Sequence, residues 1–435
     1  MKFYQLAALG CLLSGSLAAV TPAKRDAAGT ATVFLDEPSG KPEKLASGFI
    51  YGLPDNVDGT ANTDIPQKYF KDMGFNYCRA GGAQAPAKGW ALNQYEGRWK
   101  SALSNYRTTR RHGGKFILLI HDLWGADGTQ GAGFPYPGDK GSWKKWNQFL
   151  DQVFEDIREN NMIPGLEIDI WNEPDLGLFW NAPQTQYLNL WKRTYERIRL
   201  NYLKYIARTN TIPDIYSWHL LNPERNVRES KEQFQSLLKK CKLPERPINI
   251  NEYAWVGNDE QSPAGAVFYI SQLERHNAHG LHANWGSNGG LHDLMANVLV
   301  SGNGDYSPTG EWHVYSYYSK EMKGQRVATS PSDDELFEVY ATRGGGAGSV
   351  KVLAAIRPVA GKKTYDLSIS GLSALKIKGS TVRVRTKRFD GPTRETAISG
   401  PVDLGVFRHT IRNDQINFWV SADAVTSAFA FEFEI

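Results

Sequence analysis

The apolar residues between positions 48 and 323 follow two alternating patterns. Short, almost continuous apolar runs predict buried parallel strands, and the segments between them carry apolar residues at helical spacing. The predicted strands are 48–52, 75–79, 115–121, 166–171, 214–221, 248–253 and 281–285. The clearest predicted helix is 142–160, which follows the third strand. This alternation predicts the α/β class, with a TIM-type (β/α)8 barrel over residues 48–323.

The pattern changes after about Gly324. From there, apolar and other residues alternate in short runs that are separated by glycine-rich turns. A period of two predicts a smaller antiparallel β-sandwich over residues 324–435. The early run 30–35 has the same strand-like character but precedes the barrel. Residues 29–47 are therefore predicted to join the sandwich.

The barrel has a shortened region where its fifth β/α unit is expected. The pattern supplies seven convincing strands, and 48 residues separate the start of the strand at Leu166 from the start of the strand at Asp214. An active-site loop and the helix-like stretch 184–207 occupy most of that interval. Eight units take roughly 250 residues, which is about 30 for each unit. We therefore predict that a piece is missing between Arg199 and Tyr205.

The alternative for this region is a short fifth strand over residues 197–202 (RIRLNY). In a parallel strand, Arg197, Arg199 and Asn201 would then face a buried side, which costs free energy. A barrel without strand five leaves strand edges unpaired close to the predicted active site. We therefore expect this chain to be poorly stable or weakly active.

The first residues have the pattern of a secretory signal peptide. A charged Lys2, an apolar run over 6–13 and small residues at 16–19 predict a signal peptide over residues 1–19. Residues 20–28 are predicted to form a short pro-segment or linker, so we expect a secreted, extracellular protein. Removing residues 1–25, which carry three Lys or Arg residues and no Asp or Glu, lowers the formal net charge from +4 to about +1. We expect neither nucleic acid nor a membrane as a partner.

The cysteines and histidines predict neither a disulfide framework nor a metal site. Cys78 falls in a predicted inner strand and Cys241 at the end of an outer helix, which predicts two buried, unpaired thiols. His276, His279 and His282 are spaced by three, but they straddle a helix end, a glycine and a strand. They therefore cannot share one helical face as metal ligands would. We expect no metal and no cofactor.

Two glutamates end predicted barrel strands. Glu173 closes the run Ile168–Glu173, where Pro174 stops the strand, and Glu252 closes the run Ile248–Glu252. Catalytic residues of TIM barrels come from such carboxyl-terminal strand ends. Hydrolysis of a glycosidic bond with retention needs two carboxyl groups roughly 5–5.5 Å apart, one protonated and one ionised. The pair therefore predicts a retaining glycosidase rather than two unrelated strand caps.

The motifs Trp171-Asn172-Glu173-Pro174 and Asn251-Glu252-Tyr253 resemble the signature of clan A glycoside hydrolases. The longer run 169–180 (DIWNEPDLGLFW) and the sequence Ser217-Trp218-His219 are similar to glycoside hydrolase family 39, of a fungal secreted type. The resemblance covers about residues 29–435. It implies a TIM-type barrel with a C-terminal β-domain, a sugar substrate, and activity like that of β-xylosidases, α-L-iduronidases or polysaccharide-cleaving enzymes.

The same resemblance implies a role for each matching residue. Glu173 is then the catalytic acid/base and Glu252 the catalytic nucleophile. Asn172 hydrogen-bonds the sugar 2-hydroxyl, and Arg79 holds the nucleophile ionised. The remaining implied substrate-binding residues are His121, Trp124, His219, Tyr253 and Trp285.

Two alternatives remain open. The first is a related hydrolase of uronic acids or other β-linked oligosaccharides, which extra Arg or Lys side chains in the pocket would favour. The second is a non-catalytic, carbohydrate-binding barrel, although the presence of both carboxylates argues against it. In every case the expected partner is an oligosaccharide or polysaccharide.

Overall fold

A computed structural model describes residues 27–202, 212–255, 257, 259–284, 291, 294–302, 304–344, 349–377, 379–422 and 424–434. In chain order, the strands are β1 (Thr30–Gly40), β2 (Gly48–Ile50), β3 (Tyr77–Ala80), β4 (Lys115–Leu119), β5 (Leu166–Asp169), β6 (Tyr216–Leu220), β7 (Ile248–Tyr253), β8 (His279–His282), β9 (Leu299–Gly302), β10 (Asp305–Pro308), β11 (Gln325–Ser330), β12 (Phe337–Arg343), β13 (Val350–Ile356), β14 (Thr364–Ser370), β15 (Thr381–Phe389), β16 (Val402–Thr410), β17 (Gln415–Ser421) and β18 (Ala428–Glu434). The helices are α1 (Gln67–Met73), α2 (Tyr95–Arg111), α3 (Ile120–Trp124), α4 (Lys144–Glu159), α5 (Gln184–Tyr202), α6 (Val227–Cys241), α7 (Pro263–His276) and α8 (Gly310–Lys320).

The first sheet is parallel and contains seven strands among the described residues, in the order β5–β4–β3–β2–β8–β7–β6. Helices follow most of these strands, and their apolar faces pack on the sheet. In α4, the buried residues Trp146, Phe149, Leu150 and Val153 recur at helical spacing. The expectation of a TIM-like parallel domain is confirmed at this level.

The alternative strand over residues 197–202 is wrong, because those residues belong to α5. Leu190 and Thr194 of α5 are buried one turn apart, and Arg197 forms an ion pair with Asp151 of α4. A helix lets Arg197 reach that partner while the apolar face stays buried, which a buried strand would not allow. The predicted missing piece between Arg199 and Tyr205 falls partly on the end of α5 and partly on residues 203–205, which lie outside the described residues. Within the described part of the chain, β5 and β6 each pair with one neighbour.

The second sheet is mostly antiparallel and has the order β16–β15–β18–β13–β12–β11–β1–β14–β17. Strand β1 enters it between β11 and β14, pairing antiparallel with the former and parallel with the latter. The sheet curls around its own apolar core, to which Val33, Val352, Leu367 and Phe431 contribute. A separate, mostly antiparallel sheet domain therefore accompanies the helix-covered parallel sheet.

The two sheets are joined through the helices of the barrel. Tyr340 and Leu353 point away from the core of the second sheet and belong to the core of the barrel instead. Buried ion pairs cross the same junction, with Arg275 of α7 bound to Glu338 of β12 at 2.6 Å. Burial of such a pair is compensated only when its geometry is good, and Arg275 donates to both Glu338 oxygens, at 3.0 and 2.6 Å.

Both described cysteines are unpaired. Cys78 is buried in β3, as expected, but Cys241 is exposed. The expectation of a buried thiol is wrong at Cys241 because it is the last residue of α6, next to the left-handed turn at Lys242. Within the described ranges, no helix combines the length and the apolar character that crossing a membrane requires.

Candidate active site

The carboxyl ends of the parallel strands bring polar side chains to one end of the first sheet. Arg79 comes from β3, Glu173 lies in the loop after β5, His219 is on β6 and Glu252 is on β7. Because parallel strands all end at the same edge, residues far apart in sequence meet there. The predicted pair of glutamates is part of this cluster.

Arg79 is the centre of the cluster. Its Nη1 donates to Glu252 Oε1 at 2.8 Å, its Nε donates to Asp169 Oδ2 at 2.9 Å, and its Nη2 donates to Asn172 Oδ1 at 2.8 Å. Burial by itself lowers the pKa of the guanidinium, but the charges of Asp169 and Glu252 outweigh it and raise that pKa. The cation is therefore permanent, and it fixes the position of the Glu252 carboxylate.

His219 lies between the two glutamates. Its Nδ1 is 2.9 Å from Glu173 Oε1, and its Nε2 is 3.6 Å from Glu252 Oε1. Burial raises the pKa of Glu173, but the hydrogen bond and charge of His219, aided by Arg79, outweigh it and hold that pKa below its usual value. One imidazole ring thus contacts both carboxyl groups that the sequence predicts to be catalytic.

Glu173 has a strained backbone. Its φ angle is +37°, which L-residues other than glycine rarely adopt. Pro174 follows directly and cannot continue the strand. Strained residues of this kind cluster at functional sites, and the carboxyl of Glu173 contacts His219. Asn172, which precedes Glu173, uses its Oδ1 to accept from Arg79 and so leaves its amide Nδ2 facing Glu173 Oε2 at 3.5 Å.

A cleft of about 800 Å³ opens onto Glu173, His219 and Arg79. Its wall includes six aromatic side chains, three carboxylates and two guanidinium groups. The aromatic and cationic members of that wall are Trp171, Tyr187, Trp191, Tyr216, Trp218, Phe234, Arg79 and Arg225. This volume lies within the range of small-molecule sites, and aromatic walls with a few fixed polar groups are typical of them.

Glu252 and Asn172 do not line this cleft themselves but are hydrogen-bonded to Arg79, which does. Tyr253 and Trp124 lie farther away. Tyr253 points to the opposite side of β7 from Glu252, because successive side chains of a strand alternate. Its hydroxyl contacts Ala46 O and the Tyr315 hydroxyl in the core. Trp124 is buried on α3, and its indole nitrogen donates to Pro135 O at 3.0 Å. The structure thus brings neither residue to the site.

His121 lies one layer behind the cleft wall. It is buried, and its ring centroid is 5.6 Å from that of Trp171, which does line the cleft. Burial, together with the charges of Arg79 and Arg98, holds the pKa of His121 well below its usual value, so the ring is neutral. Trp285 lies outside the described residues.

The sequence analysis did not predict two residues of the site, Asp169 and Asn251. Asp169 of β5 accepts hydrogen bonds from both Arg79 and Asn251 Nδ2, the latter at 3.0 Å. The available signal was a pair of carboxylates at alternate positions, Glu167 and Asp169, in a strand expected to be apolar on both faces. Among the described residues, no group of three or more His, Cys, Asp or Glu side chains is arranged to hold a metal ion.

Known proteins share this fold and, over a short stretch, some of the sequence. No family model matches the chain. A 3-O-beta-L-arabinopyranosyl-alpha-L-arabinofuranosidase from Bifidobacterium pseudocatenulatum is 26% identical over 134 residues, which is 30% of this chain and 13% of that protein. The structure of N2152 from Neocallimastix frontalis has a TM-score of 0.71 at 20% identity and covers 93% of this chain and 99% of that one.

A GH39 enzyme from Xanthomonas axonopodis pv. citri also has a similar structure, with a TM-score of 0.57 at 14% identity. The alignment covers 95% of this chain and 99% of that one. At this level of identity, the similarity establishes architecture, while chemistry has to be argued from the site. The chain therefore has the fold of known glycoside hydrolases, with a helix-covered parallel sheet joined to a mostly antiparallel sheet domain.

Proposed function

We propose that this chain is a retaining glycoside hydrolase in which Glu252 is the nucleophile and Glu173 the acid/base. The observation that carries the proposal is the arrangement around Arg79 and His219. Arg79 donates to Glu252 at 2.8 Å, and His219 contacts Glu173 at 2.9 Å and Glu252 at 3.6 Å. Two carboxyl groups in distinct environments, one beside a fixed cation and one beside a titratable ring, are suited to two different roles.

In the first step, a Glu252 oxygen attacks the anomeric carbon and the bond to the leaving oxygen breaks. Glu173 gives its proton to that oxygen, so the leaving group departs as a neutral alcohol. Glu173 is half-buried, and burial is the largest influence on its pKa. A sugar that displaces water from the cleft buries this carboxyl further and so favours its protonated form.

In the second step, Glu173 takes a proton from water, and the resulting nucleophile attacks the anomeric carbon of the glycosyl–Glu252 ester. The bond to Glu252 breaks, and the sugar leaves with its original configuration after two inversions. The oxygen of Asn172 accepts from Arg79 and one amide hydrogen is directed at Glu173 Oε2, so the second amide hydrogen can be donated to a sugar hydroxyl. The proposed mechanism uses only side chains of this cluster and needs no metal.

The substrate that we propose is a neutral sugar unit of a plant or microbial polysaccharide, cleaved in the manner of a β-xylosidase. Among the described residues that line the cleft, the guanidinium of Arg79 is already bound to carboxylates, and Arg225 is exposed at the rim. A uronic acid would need an uncommitted cation deeper in the cleft, so this alternative is less favoured. Membership of family 39 and secretion, with removal of residues 1–19, belong to the same proposal.

The test is a panel of aryl glycosides followed by proton NMR. With EDTA present, the first-formed sugar should have the anomeric configuration of the substrate, and the matched variant Glu252→Ala should release none. An inverted first product would contradict the two-step mechanism, and activity abolished by EDTA would contradict metal-free catalysis. Binding of sugars without hydrolysis of any glycoside would favour the non-catalytic barrel instead.

A further inference from the structure

The second sheet has an outward face built from three neighbouring strands, β1, β14 and β17. Their register places nine outward side chains in three rows. We call this set the β17 face; its rows are Thr30–Asp366–Trp419, Thr32–Ser368–Asn417 and Phe34–Ser370–Gln415. The alternate residues of the same strands, such as Val33, Leu367 and Ile416, point the other way and are buried in the core. The two faces of these strands therefore have opposite character.

The β17 face points away from the barrel. The half of the sheet that contains β12 and β13 lies against the barrel helices, since Tyr340, Leu353 and Ala355 belong to the core of the barrel. Strands β1, β14 and β17 form the other side of the curled sheet, beyond the apolar core. Eight of the nine side chains are at least partly exposed, and Ser368 is the exception.

Trp419 is the more exposed of the two aromatic side chains on the β17 face. It is 51% exposed, whereas large aromatic side chains in this chain are mostly buried. Phe34, in the farthest row of β1, is also partly exposed. Strand and residue spacings make the β17 face about 10 Å wide and 13 Å long. Two aromatic rings thus lie at opposite corners of a patch of hydroxyl, amide and carboxyl groups.

The β17 face carries little charge. Strands β1, β14 and β17 contain no Lys or Arg, and Asp366 is the single ionisable group in the nine positions. By contrast, β15 of the same sheet carries Arg383, Arg385 and Lys387, which form ion pairs with acidic neighbours. An acidic peptide, nucleic acid or anionic surface would find no cation on the β17 face. The partner that matches it is neutral, rich in hydroxyl groups and able to stack on a ring.

We propose that the β17 face binds a chain of neutral sugars and so holds the barrel on a polysaccharide. The apolar face of one sugar ring stacks on Trp419, where Asp366 and Asn417 lie nearby to hydrogen-bond its hydroxyls, and Gln415 lies farther along the same strand, within reach of the next sugar of the chain. The choice of a polysaccharide rests on the proposed function, but the site is separate from the cleft at Glu173. Binding here raises the local concentration of substrate without taking part in hydrolysis.

The experiment measures how much of the full chain is removed from solution by insoluble arabinoxylan. Trp419→Ala should weaken this binding about tenfold, which equals about 1.4 kcal/mol, and should leave hydrolysis of a soluble aryl glycoside unchanged. The matched control is Phe407→Ala, because Phe407 is 50% exposed in the same domain but lies on the edge strand β16, outside the β17 face. This control should bind as the unaltered chain does.

Equal binding by Trp419→Ala and the unaltered chain would overturn the proposal. So would a change from dimer to monomer in Trp419→Ala without loss of polysaccharide binding, because the face would then join two copies. If the unaltered chain hydrolyses no glycoside but still binds polysaccharide through Trp419, the proposed hydrolase function is contradicted and the binding proposal stands. Hydrolysis with no polysaccharide binding would remove this proposal and keep the other.

Discussion

Replacing Arg79 by Met tests whether the guanidinium organises the active site or only fills the barrel. The side chain of Arg79 is 2% exposed, and those of its partners Asp169 and Glu252 are 17% and 12% exposed. Methionine fills similar space but donates no hydrogen bond. Two largely buried carboxylates and the Asn172 oxygen then lose their donor at once.

The expected magnitude follows from this burial. All three side chains are far below one-third exposed, so the value for a broken buried ion pair applies rather than the smaller value for a surface pair. We expect the free energy of unfolding to fall by about 3–5 kcal/mol. Loss of a preorganised donor at a reacting group costs about 10²–10³ in kcat, and we expect Arg79→Met to lose at least that much.

The assay combines urea unfolding with kcat on an aryl glycoside. The control is Arg275→Met, which breaks the ion pair with Glu338 at the junction of the two sheets, where the side chains are 19% and 2% exposed. It should lower the free energy of unfolding while kcat stays near that of the unaltered chain. An Arg79→Met variant that loses stability but keeps its kcat would refute the assigned role and leave Arg79 as a structural residue only.

Four further predictions use the same chemistry and packing. Glu252→Ala should remove nearly all turnover, whereas Glu173→Ala should spare substrates with activated leaving groups, which need no proton; identical behaviour on activated and unactivated aryl glycosides would contradict these roles. His219→Asn should raise the pKa of Glu173, because burial raises it and the His219 contact that lowers it is lost. The basic limb of kcat/KM for a poor leaving group should then move to higher pH, and a shift to lower pH would count against this pairing. Deleting residues up to Gly40 should remove β1 from between β11 and β14, which exposes the edges of both strands and lowers the midpoint of thermal unfolding. A truncated chain as stable as the full chain would contradict this prediction. The strands β5 and β6 each have one partner among the described strands, so we expect a low free energy of unfolding in urea. Cooperative unfolding with a free energy in the usual range of about 5–15 kcal/mol, together with ordinary turnover, would contradict the predicted barrel defect.

The sequence determined the order and type of the main elements. Buried parallel strands and amphipathic helices have periods that are visible in a single chain. The strand β7 was therefore predicted with its observed bounds, Ile248–Tyr253, and the helix predicted at 142–160 is found at Lys144–Glu159. The strand predicted at 281–285 is found at His279–His282. Element ends depend on caps and tertiary contacts, such as the Asn226 side chain that accepts from Glu229 N, and periodicity does not report these.

Tertiary structure alone decided which side chains meet. Glu173 and Glu252 were visible in the sequence because each ends a strand, and parallel strands end together. The partnership of Arg79 with Asp169 spans 90 residues, and nothing local in the chain encodes it. The position of Tyr253 in the core likewise follows from which face of β7 packs against the helices, because a strand alternates but its pattern does not label its two sides. The β17 face depends on two strand pairings. The pairing of β1 with β14 joins residues more than 300 positions apart, and the pairing of β14 with β17 joins residues about 50 positions apart. Sequence periodicity fixes the faces of each element, whereas only the packing of the whole chain decides what each face meets.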